Sequence, residues 1–313
     1  MLQYLAKRLG RSIISLFIII SVVFILLRQM PIEGYFPNYE KMTDLQIQNG
    51  LEALGLNDPI LEQLGRFWVN LLHGDLGTSI TYRHNVDVVS IIAEKIPFSI
   101  KLGSMAILVS LALGIPLGAM MARYKGKFFD KMGTLFIVFI QAVPSAVYFL
   151  FIQLYGTTIL DIPLLFDSGN PKSWILPVFS MSLGNIAYYG MWLRRYMVDE
   201  TNKDYVKLAT AKGLSGNKVF FKHVFRNAFV PMIQYLPTSF LNTVIGSIYI
   251  ESLYSVPGMG GLLVQVIKKS DNTMVQAIVL LYATVGVIGL LLGDILMTVI
   301  DPRISLSKKE EGR

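Results

Sequence analysis

The chain has 313 residues, 53% of them hydrophobic and only 16% charged, with a net charge of +7 and no cysteine. Soluble domains carry about 25% charge, so an ordinary soluble fold is excluded, and the missing thiols exclude disulfides, thiolate metal sites and cysteine nucleophiles. The basic excess does not mark a nucleic-acid binder, because lysines and arginines cluster beside apolar runs, as membrane topology requires.

A crossing needs about 20 apolar residues to cover roughly 30 Å of hydrocarbon. Six runs qualify: 12–30, 99–122, 133–155, 174–193, 229–253 and 274–300. The first follows Lys7, Arg8 and Arg11, which is also how a secretory leader begins. Its length, the lack of a small-residue cleavage site and Arg28 at its end predict a retained span. Between the first two runs, 31–95 holds nine acids against four bases. The 123–131 turn carries Arg123, Lys125, Lys127 and Lys131 against Asp130, and 194–228 carries eight bases against three acids. The positive-inside rule then puts both termini and both basic loops in the cytoplasm. The acidic segment faces outward.

That outer segment is too long for a structureless connection. TDLQIQNGLEALGLNDPILEQLGRFWVNLL has helical apolar spacing, with LNDP as a break. We expect two short helices forming a small cap outside the membrane, although a folded spacer with no partner reads the same way.

Within the runs, Gly114 and Gly118, and again Gly289 and Gly293, have the spacing that lets membrane helices approach closely. Pro116, Pro144, Pro231 and Pro237 predict local kinks. Lys101 can snorkel, and Asp294 can pair near the inner face, with Asp301 two turns on. Glu251 stands at the outer end of the fifth run. Gln141, Gln153 and Asn185 could bond between helices or line a path. No chain of buried carboxylates or histidines suggests proton coupling. His73, His84 and His223 are scattered, and no H-E-x-x-H, G-x-S-x-G or phosphate-loop pattern is present.

The 204–231 loop is the most patterned polar segment. Asp204 can cap a first helix over Tyr205–Lys212, and Gly213 is a natural C′ residue. Ser215 can cap a second, amphipathic helix with Val219, Phe220, Val224 and Phe225 among Lys218, Lys222 and Arg226. The first helix, about nine residues, is a rod of roughly 13 Å, marginal alone. It should rest on a surface: anionic lipid headgroups or a cytoplasmic protein.

DYVKLATAKGLSGNKVFFKHVFRNAFVPMI resembles the loop signature of ABC-importer permeases, in which an alanine pair, a glycine and a downstream apolar–proline element recur in order. The form is most similar to the oligopeptide/dipeptide branch. MLQYLAKRLGRSI, LGLNDPI, HGDLGTS, ESLYSVPGMGGLL and DPRI resemble that branch along nearly the whole chain, and the long outer segment resembles the B-type subunit. Two features depart from the pattern: QMPIEGYFPNYEKM replaces the usual proline–glycine–aspartate start, and Thr210 splits the alanine pair Ala209 and Ala211.

The resemblance implies an all-α polytopic membrane protein with the type I ABC importer permease fold and six transmembrane helices. Its parts would be an N-terminal span and outer loop (1–94), a permease core (95–302) and a cytoplasmic tail (303–313). It further implies a non-catalytic subunit of the plasma or inner membrane, paired with a second homologous permease. Two cytoplasmic ATPase subunits would bind ATP and magnesium, with no cofactor in this chain, and an extracytoplasmic solute-binding protein would deliver peptides. Nickel chelates or oligosaccharides are alternative cargoes. Asp204, Tyr205, Leu208, Ala209, Ala211, Lys212, Gly213 and Leu214 would couple to an ATPase. Glu251, Pro257, Gly258, Met259, Gly260 and Gly261 would gate the outer end or touch the binding protein, with a plain re-entrant connector as the alternative. A self-sufficient secondary transporter or channel would instead show buried ion ligands and an internal repeat.

Overall fold

The computed structural model describes residues 2–36, 38–244 and 246–300. Among these the chain is helical, with one isolated β-bridge between Thr78 and Asp87. DPRI, Asp301 and the 303–313 tail lie outside the described residues.

α1 (Leu2–Leu27) leads through two 3-10 turns into α2 (Asp44–Ala53) and α3 (Ile60–Leu72). The expected helix pair is therefore present. Its break falls at LNDP, where Gly55 takes φ +62° and α3 starts behind Pro59. Thr43 and Gln46 close a capping box ahead of α2. α3 leans on α1: Phe67 stacks on Phe24 and Trp68 on Phe17, with ring centroids 4.6 and 4.7 Å apart.

α4 (Val88–Arg123) starts well before the expected 99 and runs unbroken through 94/95. Asp87 caps it, accepting from the Ser90 N–H at 2.9 Å. The expected span 133–155 is instead two helices, α5 (Phe128–Ala142) and α6 (Ser145–Leu160), meeting at 107°. Val143 is extended (ψ 131°), the conformation that a following proline favours, and this ends α5 and re-aims the chain. Pro116, Pro231 and Pro237, by contrast, lie inside continuous helices.

α7 (Ile175–Thr201) is followed by α8 (Asp204–Ala211), a short α9 (Gly216–Lys218), a π-helical stretch at Val219–Phe225 and α10 (Arg226–Val244). The expected span 229–253 is divided as well. α10 ends at Val244, Gly246 takes φ +102°, and the chain restarts as α11 (Ile248–Tyr254), α12 (Met259–Lys268) and α13 (Asn272–Ile300). The Asp271 carboxylate ties the far 79–82 segment to the start of α13. It accepts from the Ser79 hydroxyl at 2.7 Å, from the N–H groups of Ile80, Thr81 and Tyr82 at 3.0 Å, and from the Met274 N–H at 3.1 Å.

Among the described residues, three helical stretches are long and apolar enough to cross a membrane: Leu9–Leu27, Val88–Arg123 and Asn272–Leu296. Counting each bent pair as one crossing, α5 with α6 and Tyr235–Tyr254 with α12, raises this to five rather than the expected six. α7 is long enough but too polar, with Ser180, Ser182 and Asn185 inside it. It packs against α4, α5, α6, α10 and α11, so protein rather than lipid meets much of its surface.

The tightest seam is α4 on α7. A Cβ on Gly114 would stand 3.0 Å from the Ile186 carbonyl oxygen, and one on Gly118 would stand 2.6 Å from that of Gly190. The first small-residue pair therefore does bring backbones together. Gly289 does the same for α13 on α10, 3.2 Å from the Thr238 Cα. Gln153 donates to the Leu164 and Leu253 carbonyls, and Asn185 to the Thr243 hydroxyl, so both bond between elements. Lys101 rests over the Trp174 ring at 4.5 Å.

Candidate functional site

α8 is short, and its two faces differ. Val206 and Ala209 are buried against Tyr189, Leu193 and Met197 of α7, Val219 and Val224 of the π-helical stretch, and Ala228 and Met232 of α10. Asp204, Leu208, Ala211, Lys212 and Gly213 lie on the open side. α8 therefore rests on this chain's own core by one face and presents the other.

Its C-terminus closes as a Schellman turn. The Gly213 N–H donates to the Thr210 carbonyl at 2.9 Å and the Leu214 N–H to the Ala209 carbonyl at 3.3 Å. Gly213 takes φ +77°, the left-handed conformation expected at C′. Half-buried Leu214 then packs onto the cluster that holds Ala209. The N-terminus differs from expectation. Lys203 occupies the N-cap without a side-chain bond, while Asp204 is the first helical residue and pairs with Lys207 at 2.9 Å. Its carboxylate still lies where the positive end of the helix favours it.

Tyr205 joins three elements. Its hydroxyl donates to Glu200 at the end of α7, lies 3.2 Å from the His223 carbonyl, and accepts from Asn227 Nδ2 of α10 at 2.8 Å. Asn227 also donates to the His223 carbonyl at 3.0 Å. Burial, reinforced by Glu200, pushes the phenol pKa up to about 12, so it stays a neutral donor throughout the physiological range. Sequence reading grouped Tyr205 with the docking residues; it is 37% exposed, and its hydroxyl bonds Glu200 and Asn227 of this chain.

Beyond Gly213 the expected second helix does not stop before the next crossing run. α9, the π-helical stretch and α10 form one continuous rod from Gly216 to Val244. The expected cap is also absent, since Ser215 makes no side-chain bond and only its carbonyl accepts, from the Val219 N–H at 3.0 Å. Seven consecutive residues of π-helix are rare and typically mark functional sites. Asp130 holds the base of α5 to α7. It accepts from Arg194 Nε at 2.5 Å and Nη2 at 2.8 Å, and from the Gly126 N–H at 2.8 Å.

A second constellation lies where α11 meets α12. Glu251 is fully buried and accepts from the Ser99 hydroxyl of α4 at 2.7 Å and the Gly260 and Gly261 N–H groups at 2.6 and 3.2 Å. Ser99 Oγ in turn accepts from the Met259 N–H at 2.8 Å. Three unpaired N–H groups at the start of α12 are thus satisfied by side chains from α4 and α11. A Cβ on Gly258 would meet Glu251 Oε2 at 2.5 Å, so glycine is required for the carboxylate to sit there. Gly258, Met259, Gly260 and Gly261 are buried and Pro257 half-buried, so the expected reach toward another protein is not available to them here.

A family model described as binding-protein-dependent transport system inner membrane component matches residues 114–306. The chain belongs to that family. It is 31% identical over 306 residues to the dipeptide transport system permease protein DppB of Lactococcus lactis subsp. cremoris, covering 98% of this chain and 100% of that protein. It is 30% identical to the oligopeptide transport system permease protein OppB of Haemophilus influenzae (97% and 99% covered) and 29% to DppB of Bacillus subtilis (99% and 100%).

For this permease, all of the α8 constellation and, apart from Ser99, the Glu251 constellation fall inside the matched region. The α8 element and its glycine cap were legible in AKGL. The Ser99 contribution to the Glu251 knot, and the roles of Glu200, His223 and Asn227 around Tyr205, were not. These partners lie up to 160 residues apart in the chain, and no local spacing announces them.

Proposed function

We propose that this permease is one subunit of an ATP-driven importer for peptides, and that force from a cytoplasmic ATPase enters it at α8. The observation that carries the reading is the double character of α8: an open face of Asp204, Leu208, Ala211, Lys212 and Gly213, on a helix tied by Tyr205 to the ends of both α7 and α10. A push on the open face has to move two long helices together. Ala209 acts from beneath, because its small side chain lets α8 sit close to α7, and Leu214 locks the turn that follows.

In this reading the chain crosses six times, α7 supplying the protein-enclosed crossing, with both termini and α8 in the cytoplasm. A second homologous permease completes the pathway. Two ATPase subunits bind ATP and magnesium, and a solute-binding protein delivers the cargo from outside. Peptides are the cargo class favoured by the dipeptide and oligopeptide relatives. Glu251 with Pro257, Gly258, Met259, Gly260 and Gly261 closes the outer end of the path. Parting α11 from α12 there exposes the N–H groups that Glu251 holds, which makes opening costly without the ATPase stroke.

Gly213→Asp tests the docking claim when set beside Gly213→Ala: both carry the strain of a side chain at φ +77°, and with nothing within 4 Å only the Asp carboxylate projects a charge toward the partner. The Gly213→Asp variant should insert and assemble with ATP hydrolysis retained and peptide uptake lost in proteoliposomes. Normal uptake removes Gly213 from the coupling surface.

A further inference from the structure

α3 carries more apolar surface than the protein covers. Phe67 and Trp68 turn toward α1, whereas Glu62, Arg66 and Asn70 share the opposite side, with Arg66 bound to Asp58 and the Gly55 carbonyl. Along the edge of the α1-facing side, Leu61, Trp68 and Leu72 follow one another at i, i+7 and i+11, a single stripe along the helix. Leu61 is 74% and Leu72 81% exposed.

The depth of this stripe is fixed by its contacts. Trp68 Nε1 donates to Ser21 Oγ at 3.1 Å, and its ring stacks on Phe17. Both partners belong to the apolar stretch Leu9–Leu27. Ser21 lies about 9 Å of helix before the end of α1 and Phe17 about 15 Å. Half of a bilayer's hydrocarbon is roughly 15 Å thick, so Trp68 cannot touch these residues from above the membrane. Phe17 is itself 52% exposed, beside exposed Ile14 and Ile18, so the uncovered face of α1 continues into the α3 stripe.

We infer that α3 is a monotopic helix seated in the membrane interface, its Leu61–Trp68–Leu72 stripe among the acyl chains of the leaflet that holds the C-terminal half of α1. Glu62, Arg66 and Asn70 face water, the latter two lining a cavity of about 410 Å³ with Arg28 and Gln276. The helix is thus part of the bilayer anchor, not a cap standing clear of it. An amphipathic helix with an interfacial tryptophan suits that position. The inference needs only that α1 crosses a bilayer, and it holds for either orientation of the chain.

The lack of native cysteines makes the test direct. Spin labels are placed at Leu61→Cys, Leu72→Cys and Glu62→Cys in the assembled transporter in lipid nanodiscs, with peptide uptake in proteoliposomes confirming assembly. Relaxation by oxygen, which enriches in acyl chains, is compared with relaxation by a water-soluble nickel chelate. The oxygen-to-nickel ratio should be several-fold higher at 61 and 72 than at 62. Equal ratios at all three positions put the stripe in water and overturn the inference. Immobile labels at 61 and 72 that neither reagent reaches show a protein partner covering the stripe, and overturn it equally.

Discussion

At the scale of single residues, two side chains do work that their neighbours cannot replace. The Tyr205 hydroxyl links Glu200, His223 and Asn227, and Tyr205→Phe keeps the ring while deleting every one of those bonds. A lost bond of this kind is worth about 1 kcal/mol, or roughly five-fold in an equilibrium. We expect about five-fold less peptide uptake per ATP hydrolysed, with unchanged assembly, measured in proteoliposomes. Because the phenol is held neutral, the linkage should be insensitive to pH up to about 10 and weaken only as pH rises toward 12. Glu251 differs in kind. Glu251→Ala strands Ser99 and the N–H groups of Gly260 and Gly261 in a buried site. That should cost about 2–4 kcal/mol, visible as a lower melting temperature of the purified protein, with Glu251→Gln losing less because its carbonyl oxygen still accepts. Such roles were only half legible. Gly213 could be placed at C′ from AKGL because a helix stop is local chemistry, whereas what Tyr205 and Glu251 bind depends on residues brought in from other helices.

At the scale of elements, proline is instructive. Pro116, Pro231 and Pro237 pass within continuous helices, while Pro144 divides an apolar stretch into α5 and α6. Hydropathy finds the greasy run in either case and does not report its bend. The π-helical stretch Val219–Phe225 is similarly silent in sequence, yet it joins α9 to α10 without a break. Small-residue spacing was readable, because Gly114 and Gly118 mark the seam where α4 and α7 touch through backbone. Gly118→Leu would force a side chain against the Gly190 carbonyl, where a Cβ already comes within 2.6 Å. We expect about 1–3 kcal/mol of destabilisation, read as a lower melting temperature and poorer recovery from detergent. Gly184 on α7 has no atom within 4 Å of its Cβ position, and Gly184→Ala is the matched control that should change neither.

At the scale of the whole molecule, three helices stand out by composition and one by its packing. α1, α4 and α13 are apolar enough to have been found from composition. α7 was also read as a crossing, over 174–193, but it is packed by α4, α5, α6, α8, α10 and α11 and carries polar residues that bond to its neighbours. The 31–95 segment was readable as two helices but not in its position, which depends on Trp68 reaching Ser21. The central claim, that an ATPase delivers its stroke to the open face of α8, can be met head-on with a single cysteine at Leu208, which is 56% exposed in a chain without native thiols. A photoactivatable crosslinker on Leu208→Cys in the assembled transporter should capture an ATPase subunit and stop peptide uptake once bonded. Labelling that captures only lipid, with uptake continuing at the unlabelled rate, would contradict the account.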